Sequence, residues 1–358
     1  MPHSRRREWN CSEHIRVIFL DTVDSTNDYA YQSLSGENRF LSGSAKNLVA
    51  IVSGEQTKGK GRLGRSWVSV PGESLTVSFI GSVPSSLIQS DLAGWLTAVA
   101  GVAAASCIQD YVDQACRASK NSQLVDKGEG GGPVIGLKWP NDIYAQGKKL
   151  GGILIRLATD RPLSVGGVKR AGEDGSEDLS SSEQADLRVP VIMGLGLNLA
   201  IPHIRFQEAG LQAISLVDLL DQSSLPNQSS LPNQHGTPNQ SGAPDQSDVA
   251  NELLIRIGGK ISDLLDAFSK NPEQTCRKLA KQMQEKDIVS GRRVEVSTAS
   301  GQVIEGVCRG IGPDASLIVE LDDGSLRHID WGDAQLEDVP TGDSQAVEAR
   351  SVEIVENR

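Results

Sequence analysis

A basic, glycine-rich segment at residues 54–65, GEQTKGKGRLGR, is the first part of the chain whose residue types could do chemistry. Glycines at positions 59, 61 and 64 let the backbone approach a ligand closely, while Lys60, Arg62 and Arg65 supply positive charge. Such a loop is suited to binding a carboxylate and a phosphate close together, because its positive charges offset the repulsion between the two anions. A flexible, solvated basic hairpin is the alternative that this segment alone leaves open.

Two familiar phosphate-binding motifs nearly fit this loop, and both fail on their context. A GxxxxGK pattern ends at Lys60, but Gly61 follows where a P-loop needs Ser or Thr to hold magnesium. The pattern GxGxxG over 59–64 matches the dinucleotide fingerprint, yet the following residues, RSWVSVPGESLTVSFI, are typical of a strand and not of a helix. Neither a P-loop nor a dinucleotide site is therefore expected.

Four other short segments carry polar residues where predicted strands end or a predicted helix begins. They are DSTN (24–27), LKWPNDI (137–143), KKLGGIL (148–154) and GLGLN (194–198). Ser25 and Thr26 precede a predicted helix, so they could cap its N-terminus as well as bind a ligand. Lys138 stands before Trp-Pro at the mouth of a core strand, where a structural salt bridge is the alternative to a catalytic role.

Strands dominate the part of the chain that must position these segments. Apolar residues and turn signals predict strands at 15–21, 48–56 and 74–81, with further strands within 134–157 and 188–200. The capping residues after the first strand predict a helix there. The sequence therefore predicts a mixed α/β domain whose strands share one core.

Two longer helices are predicted beside these strands. The uncharged run from Leu92 to Gln109 is nearly long enough to span a membrane, but its many Ala, Gly, Ser and Thr residues favour a buried helix. Apolar residues also recur at helical spacing over 248–268, although Gly258 and Gly259 weaken the middle of that pattern.

Short strands separated by turn signals follow between residues 292 and 331 and predict a small SH3-like β-barrel. The predicted organisation is an N-terminal tail (1–14), a large domain (15–285), the barrel domain (286–340) and an acidic tail (341–358).

Three segments interrupt the large domain and are predicted to be loop insertions. Residues 118–133 and 159–187 are rich in Gly, Ser and acidic residues. Residues 223–246 repeat a hexapeptide, SSLPNQ SSLPNQ HGTPNQ SGAPDQ, which is too short and too polar to stack as a solenoid. This third segment is predicted to be a disordered expansion.

Deleting residues 223–246 should leave the activity and the melting temperature nearly unchanged. Hexamers of Gln, Asn, Ser and Pro have little apolar surface to offset the entropy of ordering, and shortening a loop changes its closure entropy only slightly. Turnover and thermal melting of the deleted chain, measured beside the full chain, test this. A large loss of either would show that the repeat is structural.

The charge and the cysteines exclude several classes of protein. With 35 Lys+Arg against 46 Asp+Glu in 358 residues, the formal net charge is −11, which excludes nucleic-acid binding as a whole-surface property. The five cysteines include no CxxC pair and the five histidines no HExxH, so no metal site is predicted, and reduced thiols in a cytoplasm are expected. The basic start, MPHSRRREWN, is followed by no apolar segment, so a secretory signal is not expected.

The basic loop and the four polar segments together resemble the biotin protein ligases, or biotin–[acetyl-CoA-carboxylase] ligases, in order and spacing. The resemblance runs from about Ile15 to Trp331 and is most specific at KWPND followed by KLGGIL. It implies a mixed α/β (α+β) catalytic domain similar to class II aminoacyl-tRNA synthetases, followed by the SH3-like barrel. Lys60 and Leu63 replace two arginines of the family's GRGRRGR pattern, and near Leu336 to Val339 the chain lacks an arginine that some members send toward ATP.

The resemblance also assigns roles to individual residues. Residues implied to bind biotin are Ser25, Thr26, Asn27, Gln56, Gly59, Lys60, Gly61, Arg62 and Lys138. Residues implied to contact ATP are Arg65 and Asn198. Lys138 and Arg62 are the implied catalytic residues.

The implied reaction has two steps. The biotin carboxylate attacks the α-phosphorus of ATP, which carries Mg²⁺, and a lysine of a biotin carboxyl carrier domain of a biotin-dependent carboxylase then displaces AMP from biotinyl-5′-adenylate. A homodimer is one possible assembly. Since no helix-turn-helix precedes Ile15, repressor function is not expected, and neither is a nucleic-acid or membrane partner. A lipoate or octanoate ligase or transferase of the same fold, and a non-catalytic biotin-binding regulator, stay open as alternatives.

Overall fold

The computed structural model describes residues 6–35, 47–118, 132–164, 187–220, 249–298 and 300–336. The repeat predicted at 223–246 and the tail predicted at 341–358 lie outside these residues, as do most of the insertions predicted at 118–133 and 159–187. The described residues form two sheets, with helices packed on the larger one.

Nine strands form the larger sheet, in the order β1-β2-β3-β4-β9-β7-β6-β5, with the short β8 paired to β9. The strands are β1 (Arg6–Asn10), β2 (Ile15–Val23), β3 (Leu48–Gln56), β4 (Ser74–Pro84), β5 (Ile135–Lys138), β6 (Asp142–Ala145), β7 (Lys148–Leu157), β8 (Leu163–Ser164) and β9 (Leu187–Asn198). Strands β2 and β3 run parallel, whereas the other described pairs are antiparallel. The predicted strands and the mixed α/β class are confirmed.

Helices cover both faces of this sheet. They are α1 (Thr26–Ser33), α2 (Ser85–Ile88), α3 (Trp95–Ala118), α4 (His203–Glu208), α5 (Leu216–Leu219), α6 (Val249–Lys270) and α7 (Pro272–Lys286). Along β4, Val77 and Phe79 join the core beneath α3 and α6, whereas Ile80 joins a separate core beneath α1. Because side chains alternate along a strand, Ser78 faces α1.

The long apolar run predicted as a helix forms part of a helical stretch that continues into α3. Among the described residues, the stretch Leu92–Arg117 is long and apolar enough to cross a membrane, but 67% of its apolar window is buried inside the protein. It packs against α6, α7 and strands β5 to β7. This burial favours the core helix over a membrane span.

Helix α6 confirms the helix predicted over 248–268. Gly258 in its middle is explained by close packing, since a Cβ there would lie 2.9 Å from Ile15 Cδ1 and 3.0 Å from Phe79 Cε1. Helix α7 was not predicted. Its start at Pro272, with Asn271 as N-cap, is the signal that could have revealed it.

The tail predicted over residues 1–14 is wrong for Arg6–Asn10, which form edge strand β1. Trp9 pairs with Val17 of β2 and packs on the core, and Glu8 forms an ion pair with Arg16 at 2.5 Å. Charged residues on an edge strand hide its apolar periodicity, although they help to protect the edge from further pairing.

The smaller sheet has five strands in the order β13-β12-β11-β10-β14. They are β10 (Arg293–Thr298), β11 (Val303–Ile311), β12 (Leu317–Glu320), β13 (Leu326–Ile329) and β14 (Gly332–Leu336). Strands β13 and β14 stand at opposite ends of the sheet, yet only Asp330 and Trp331 separate them in the chain. Two residues span about 10 Å at most, so the sheet must curl on itself, as an SH3-like domain does. The predicted SH3-like domain is confirmed.

Candidate functional site

The site lies on the α1 face of the larger sheet, on a floor made of small residues. Register places Ser78 of β4 opposite Gly194 of β9. A Cβ at Gly194 would lie 2.5 Å from Asn27 Oδ1, and one at Gly196 would lie 2.3 Å from Trp67 Cε2. The glycines of the GLGLN motif are needed because α1 and the Trp67 indole rest directly on them.

A buried polar network joins α1 to this floor. Ser25 is the N-cap of α1, and Ser25, Thr26 and Asn27 are all buried. The backbone N–H of Thr26 donates to Gln56 Oε1 at 2.7 Å, and Asn27 Nδ2 donates to the carbonyl of Leu154 at 3.0 Å. The structure therefore brings the predicted polar residues Thr26, Asn27 and Gln56 together, beside a cap that has its own structural role.

Ser78 completes the network from the sheet below. Its Oγ lies 2.7 Å from Thr26 Oγ1 and 2.6 Å from Asn27 Oδ1, while Thr26 Oγ1 also lies 3.1 Å from Gln56 Oε1. Two hydroxyl hydrogens are shared among these three contacts, so one contact is always without a hydrogen, and the hydroxyl oxygens keep lone pairs that are not used. The network can therefore accept a hydrogen-bond donor from a ligand without losing a bond of its own.

The basic loop between β3 and β4 is a hairpin closed by backbone hydrogen bonds. The N–H of Gly61 donates to Arg65 O at 2.7 Å, and that of Trp67 donates to Gly59 O at 2.9 Å. A Cβ at position 59 would lie 2.2 Å from the Trp67 carbonyl, so only glycine fits there. Leu63 has a φ of 53°, a left-handed conformation that strains a non-glycine residue.

One cation of the loop pairs with helix α1. Lys60 Nζ lies 2.6 Å from Asp28 Oδ2, and Arg156 of β7 donates to Asp28 Oδ1 at 3.1 Å. Lys60 is half exposed, so this ion pair adds little to stability. Its consequence is geometric, because it holds the loop against the helix whose N-terminus carries the polar network.

The two arginines of the loop contact the rest of the site instead. Arg62 Nη1 donates to Asn141 Oδ1 of the KWPND motif at 3.2 Å, and its guanidinium lies 4.3 Å from the Trp331 ring centroid. Arg65 pairs with Asp333 at 2.5 Å. Trp331 and Asp333 belong to the C-terminal domain, so that domain borders the site.

Three buried side-chain atoms among the described residues have no hydrogen-bond partner: Arg62 Nη2, Trp67 Nε1 and Thr76 Oγ1. Trp67 rests on Gly196, and Thr76 stands opposite Gly196 in the sheet. Burying a polar atom without a partner is costly, so the two at the glycine floor and the one in the basic loop indicate a place prepared for a polar ligand.

Lys138 ends strand β5 at the edge of this site. Its Nζ lies 5.5 Å from the centroid of the Tyr144 ring, and its backbone pairs with Asp142. Burial lowers the pKa of Lys138 below its ordinary value, and the carboxylates of Asp142 and Asp333 oppose this shift. Burial likewise lowers the pKa of Arg62, against the same two carboxylates. A partly desolvated cation of this kind interacts strongly with a nearby anion.

Asn198 lies at the end of β9, beyond the glycine floor. Its Nδ2 donates to Ile214 O at 3.2 Å and to Lys149 O at 3.4 Å. These bonds tie the segment before α5 to β7, so the amide nitrogen of Asn198 has structural partners. Its role toward a nucleotide stays a prediction.

Trp67, Thr76 and Ser78 were missed by the sequence reasoning. The alternation SLTVS in β4 already places the two hydroxyls on one face, so the pattern contained them. Trp331 and Asp333 carry no such signal, because their contacts with Arg62 and Arg65 join distant parts of the chain.

Comparison with known proteins agrees with this architecture. Residues 19–167 match the model of the biotin/lipoate A/B protein ligase family, and residues 289–336 match the biotin protein ligase C terminal domain. A biotin–[acetyl-CoA-carboxylase] ligase of Mycobacterium tuberculosis is 25% identical over 302 residues, which cover 84% of this chain and 83% of that protein. The bifunctional ligase/repressor BirA of Escherichia coli is 28% identical over 144 residues, which cover 39% of this chain and 35% of BirA.

Solved structures show the same fold. A biotin protein ligase from Aquifex aeolicus, in complex with biotin and ATP, is similar with a TM-score of 0.54 and 21% identity, covering 91% of this chain and 99% of that one. This fold, together with the two family matches, identifies the chain as a two-domain protein ligase. The chain belongs to the biotin/lipoate A/B protein ligase family, with the C-terminal domain of its biotin protein ligases.

Proposed function

We propose that the chain is an ATP-dependent biotin protein ligase, which activates biotin as biotinyl-5′-adenylate and transfers it to a lysine of a biotin carboxyl carrier domain. One observation carries this proposal most directly. The buried network of Thr26, Asn27, Gln56 and Ser78 adjoins the basic loop, whose Arg62 has an unpartnered, buried nitrogen. A ligand with a polar ring at one end and an anion at the other matches both.

Biotin has that chemistry. Its ureido ring offers two N–H donors and one carbonyl acceptor, and the hydroxyl oxygens of the network described above have lone pairs that can accept from such donors. Lipoate and octanoate carry an apolar group in place of the ureido ring, so they would leave buried hydroxyl and amide groups without partners. This cost favours biotin over the lipoate and octanoate alternatives.

In the first step, two anions must meet. We infer that Lys138 and Arg62, with Lys60 and Arg65 nearby, offset the charge of the biotin carboxylate and of the α-phosphate as the new C–O–P bond forms and pyrophosphate leaves. The described residues contain no cluster of three His, Cys, Asp or Glu side chains that could hold a metal ion. Mg²⁺ is proposed to arrive bound to the ATP phosphates, as is usual for this ion.

In the second step, the neutral ε-amine of the carrier lysine attacks the carbonyl carbon of the mixed anhydride. The carbon–oxygen bond to phosphate breaks, AMP leaves, and the amine loses a proton as the amide forms. The enzyme needs no covalent intermediate. Acetyl-CoA carboxylase is the proposed source of the carrier domain, a cytoplasm is the proposed location, and a homodimer without nucleic-acid or membrane partners stays a prediction.

The decisive experiment mixes the purified chain with ATP, Mg²⁺, a carrier domain of acetyl-CoA carboxylase and either labelled biotin or labelled octanoate. Label from biotin should reach the carrier lysine, and a parallel reaction without the carrier should still release pyrophosphate. Transfer of octanoate alone would identify an acyl ligase of the other type. Binding of biotin without pyrophosphate release would identify a non-catalytic regulator.

Replacing Ser78 by alanine should weaken biotin binding up to about tenfold. The change removes a hydroxyl oxygen that can accept a ureido N–H, and such a hydrogen bond contributes roughly 0.5 to 1.5 kcal/mol to binding. Calorimetric titration with biotin measures the effect. Ser82→Ala is the matched control, because Ser82 is a buried serine on the same strand whose Oγ contacts Arg188. Equal losses in both variants would remove Ser78 from the biotin site.

A further inference from the structure

Both chain neighbours of Lys138 are held by the C-terminal region, although Lys138 itself ends a strand of the larger sheet. On one side, the backbone N–H of Ile288 donates to the carbonyl of Leu137 at 3.1 Å. On the other side, Trp139 is only 3% exposed and belongs to the apolar core of the smaller sheet, together with Val294. The lysine therefore stands between two contacts made by the other domain.

The indole of Trp139 also has a fixed hydrogen-bond acceptor. Its Nε1 donates at 3.0 Å to the carbonyl of Ala315, in the turn between β11 and β12. The turn is braced internally, because the N–H and the hydroxyl of Ser316 both donate to Asp314 Oδ1, at 3.1 and 2.6 Å. A braced turn offers the indole a fixed acceptor on the smaller sheet.

We propose that Trp139 is a positioning residue that fixes Lys138 against the reacting carboxylate and phosphate from the side of the C-terminal domain. The inference rests on the proposed function, which gives Lys138 its catalytic role. Lys138 lies beside Tyr144 and pairs with Asp142 of β6, whereas the next residue is anchored in a different core. A shift of about 1 Å in a group that must meet two reacting anions can cost about a hundredfold in rate.

A second tryptophan provides a matched control. Trp95 of α3 is also buried, and its Nε1 donates at 2.8 Å to the carbonyl of Pro313 in the same turn. Trp95 belongs to the core of the larger sheet and is far from Lys138 in the chain. A Trp→Phe change at either position removes one indole-to-carbonyl hydrogen bond between the domains, but only Trp139 is the direct chain neighbour of the lysine.

The test compares Trp139→Phe and Trp139→Leu with Trp95→Phe in the full chain. Both Trp139 variants should lower kcat for pyrophosphate release about tenfold or more, with KM for biotin within twofold of the parent. Trp95→Phe should change kcat by less than twofold. All three variants should lower Tm by a few degrees. The second Trp139 variant ensures that the result does not depend on how one replacement packs.

The reactivity of Lys138 provides a readout independent of turnover. Labelling by an amine-directed reagent across a pH series, located by mass spectrometry, should show half-labelling of Lys138 at a higher pH in the Trp139 variants, because a loosened lysine regains water. Trp139 variants that match Trp95→Phe in kcat and in labelling would overturn the inference. Failure of the proposed function would show instead as absent pyrophosphate release by the parent protein, while the labelling comparison would still test the positioning.

Discussion

Lys138→Ala should lower the rate of biotinyl-adenylate formation about a hundredfold or more while the protein stays folded. The lysine is the partly buried cation beside the predicted meeting point of a carboxylate and a phosphate, and removing it should cost about 3 kcal/mol or more of transition-state stabilisation. Single-turnover release of labelled pyrophosphate from ATP measures this step without the carrier protein. Circular dichroism and Tm show whether the fold is kept.

Lys58→Ala is the matched control for this variant. Lys58 lies in the same basic loop region, but its side chain is 75% exposed and pairs only with Asp24 at the surface among the ion pairs of the described residues. Its removal should change the rate by less than twofold. Parent-like adenylation by Lys138→Ala would show that Lys138 has a structural role only.

The pH dependence gives a second test of the Lys138 cation. Burial lowers the pKa of Lys138 below its ordinary value of 10.5, so the charged form is lost at a lower pH than in a free lysine. Adenylation that needs the cation should therefore be complete below this pKa and fall as the pH rises through it. Lys138→Arg, if active, should move that alkaline limit upward, because guanidinium stays charged.

Arg62→Ala should release biotinyl-adenylate about ten- to a hundredfold faster than the parent. Arg62 Nη1 donates a hydrogen bond to Asn141, whereas its buried Nη2 has no partner. The guanidinium lies over the indole ring of Trp331. A charge-assisted hydrogen bond from that nitrogen to the adenylate phosphate should contribute about 1.5 to 3 kcal/mol, and its loss falls mainly on the dissociation rate. More AMP should then be formed per carrier biotinylated, since the escaped anhydride hydrolyses.

Rapid dilution of enzyme loaded with labelled biotinyl-adenylate measures that dissociation rate. Arg256→Ala serves as the control for loss of an arginine, because Arg256 is a partly exposed residue of α6 that contacts Glu252 and Gln114. Arg62→Lys should restore only part of the retention, because an ammonium lacks the planar fork of donors. Equal off-rates in Arg62→Ala and the parent would remove Arg62 from the retention role.

The spacing of apolar residues predicted those strands and helices that bury one face or are buried on all sides. Strands β2, β3 and β4 follow from their apolar residues, and α6 follows from its helical periodicity despite Gly258. Strand β1 escaped because an edge strand of charged residues has no apolar period. Helix α7 escaped because few of its residues are apolar, and its start signal at Pro272 was overlooked.

The candidate site was predictable where a single motif contains the polar residue and also shows where it lies, at the end of a strand or the start of a helix. The basic loop, the DSTN segment and KWPND are of this kind, and the structure brings their side chains together through Asp28, Gln56 and Asn141. The contribution of the C-terminal domain was not predictable. Trp331 and Asp333 reach the loop only because the smaller sheet curls and docks, and no spacing in the sequence encodes that contact.

The docking of the two domains also determines how freely the chain can change at their junction. Trp95 and Trp139 donate to main-chain carbonyls, which every residue type carries, so the turn at 313–315 can exchange side chains and keep its acceptors while its backbone keeps its course. The donors have no such freedom, because the indole N–H belongs to tryptophan alone. We therefore expect side-chain changes to be tolerated better in this turn than at the two tryptophans whose indoles donate to it.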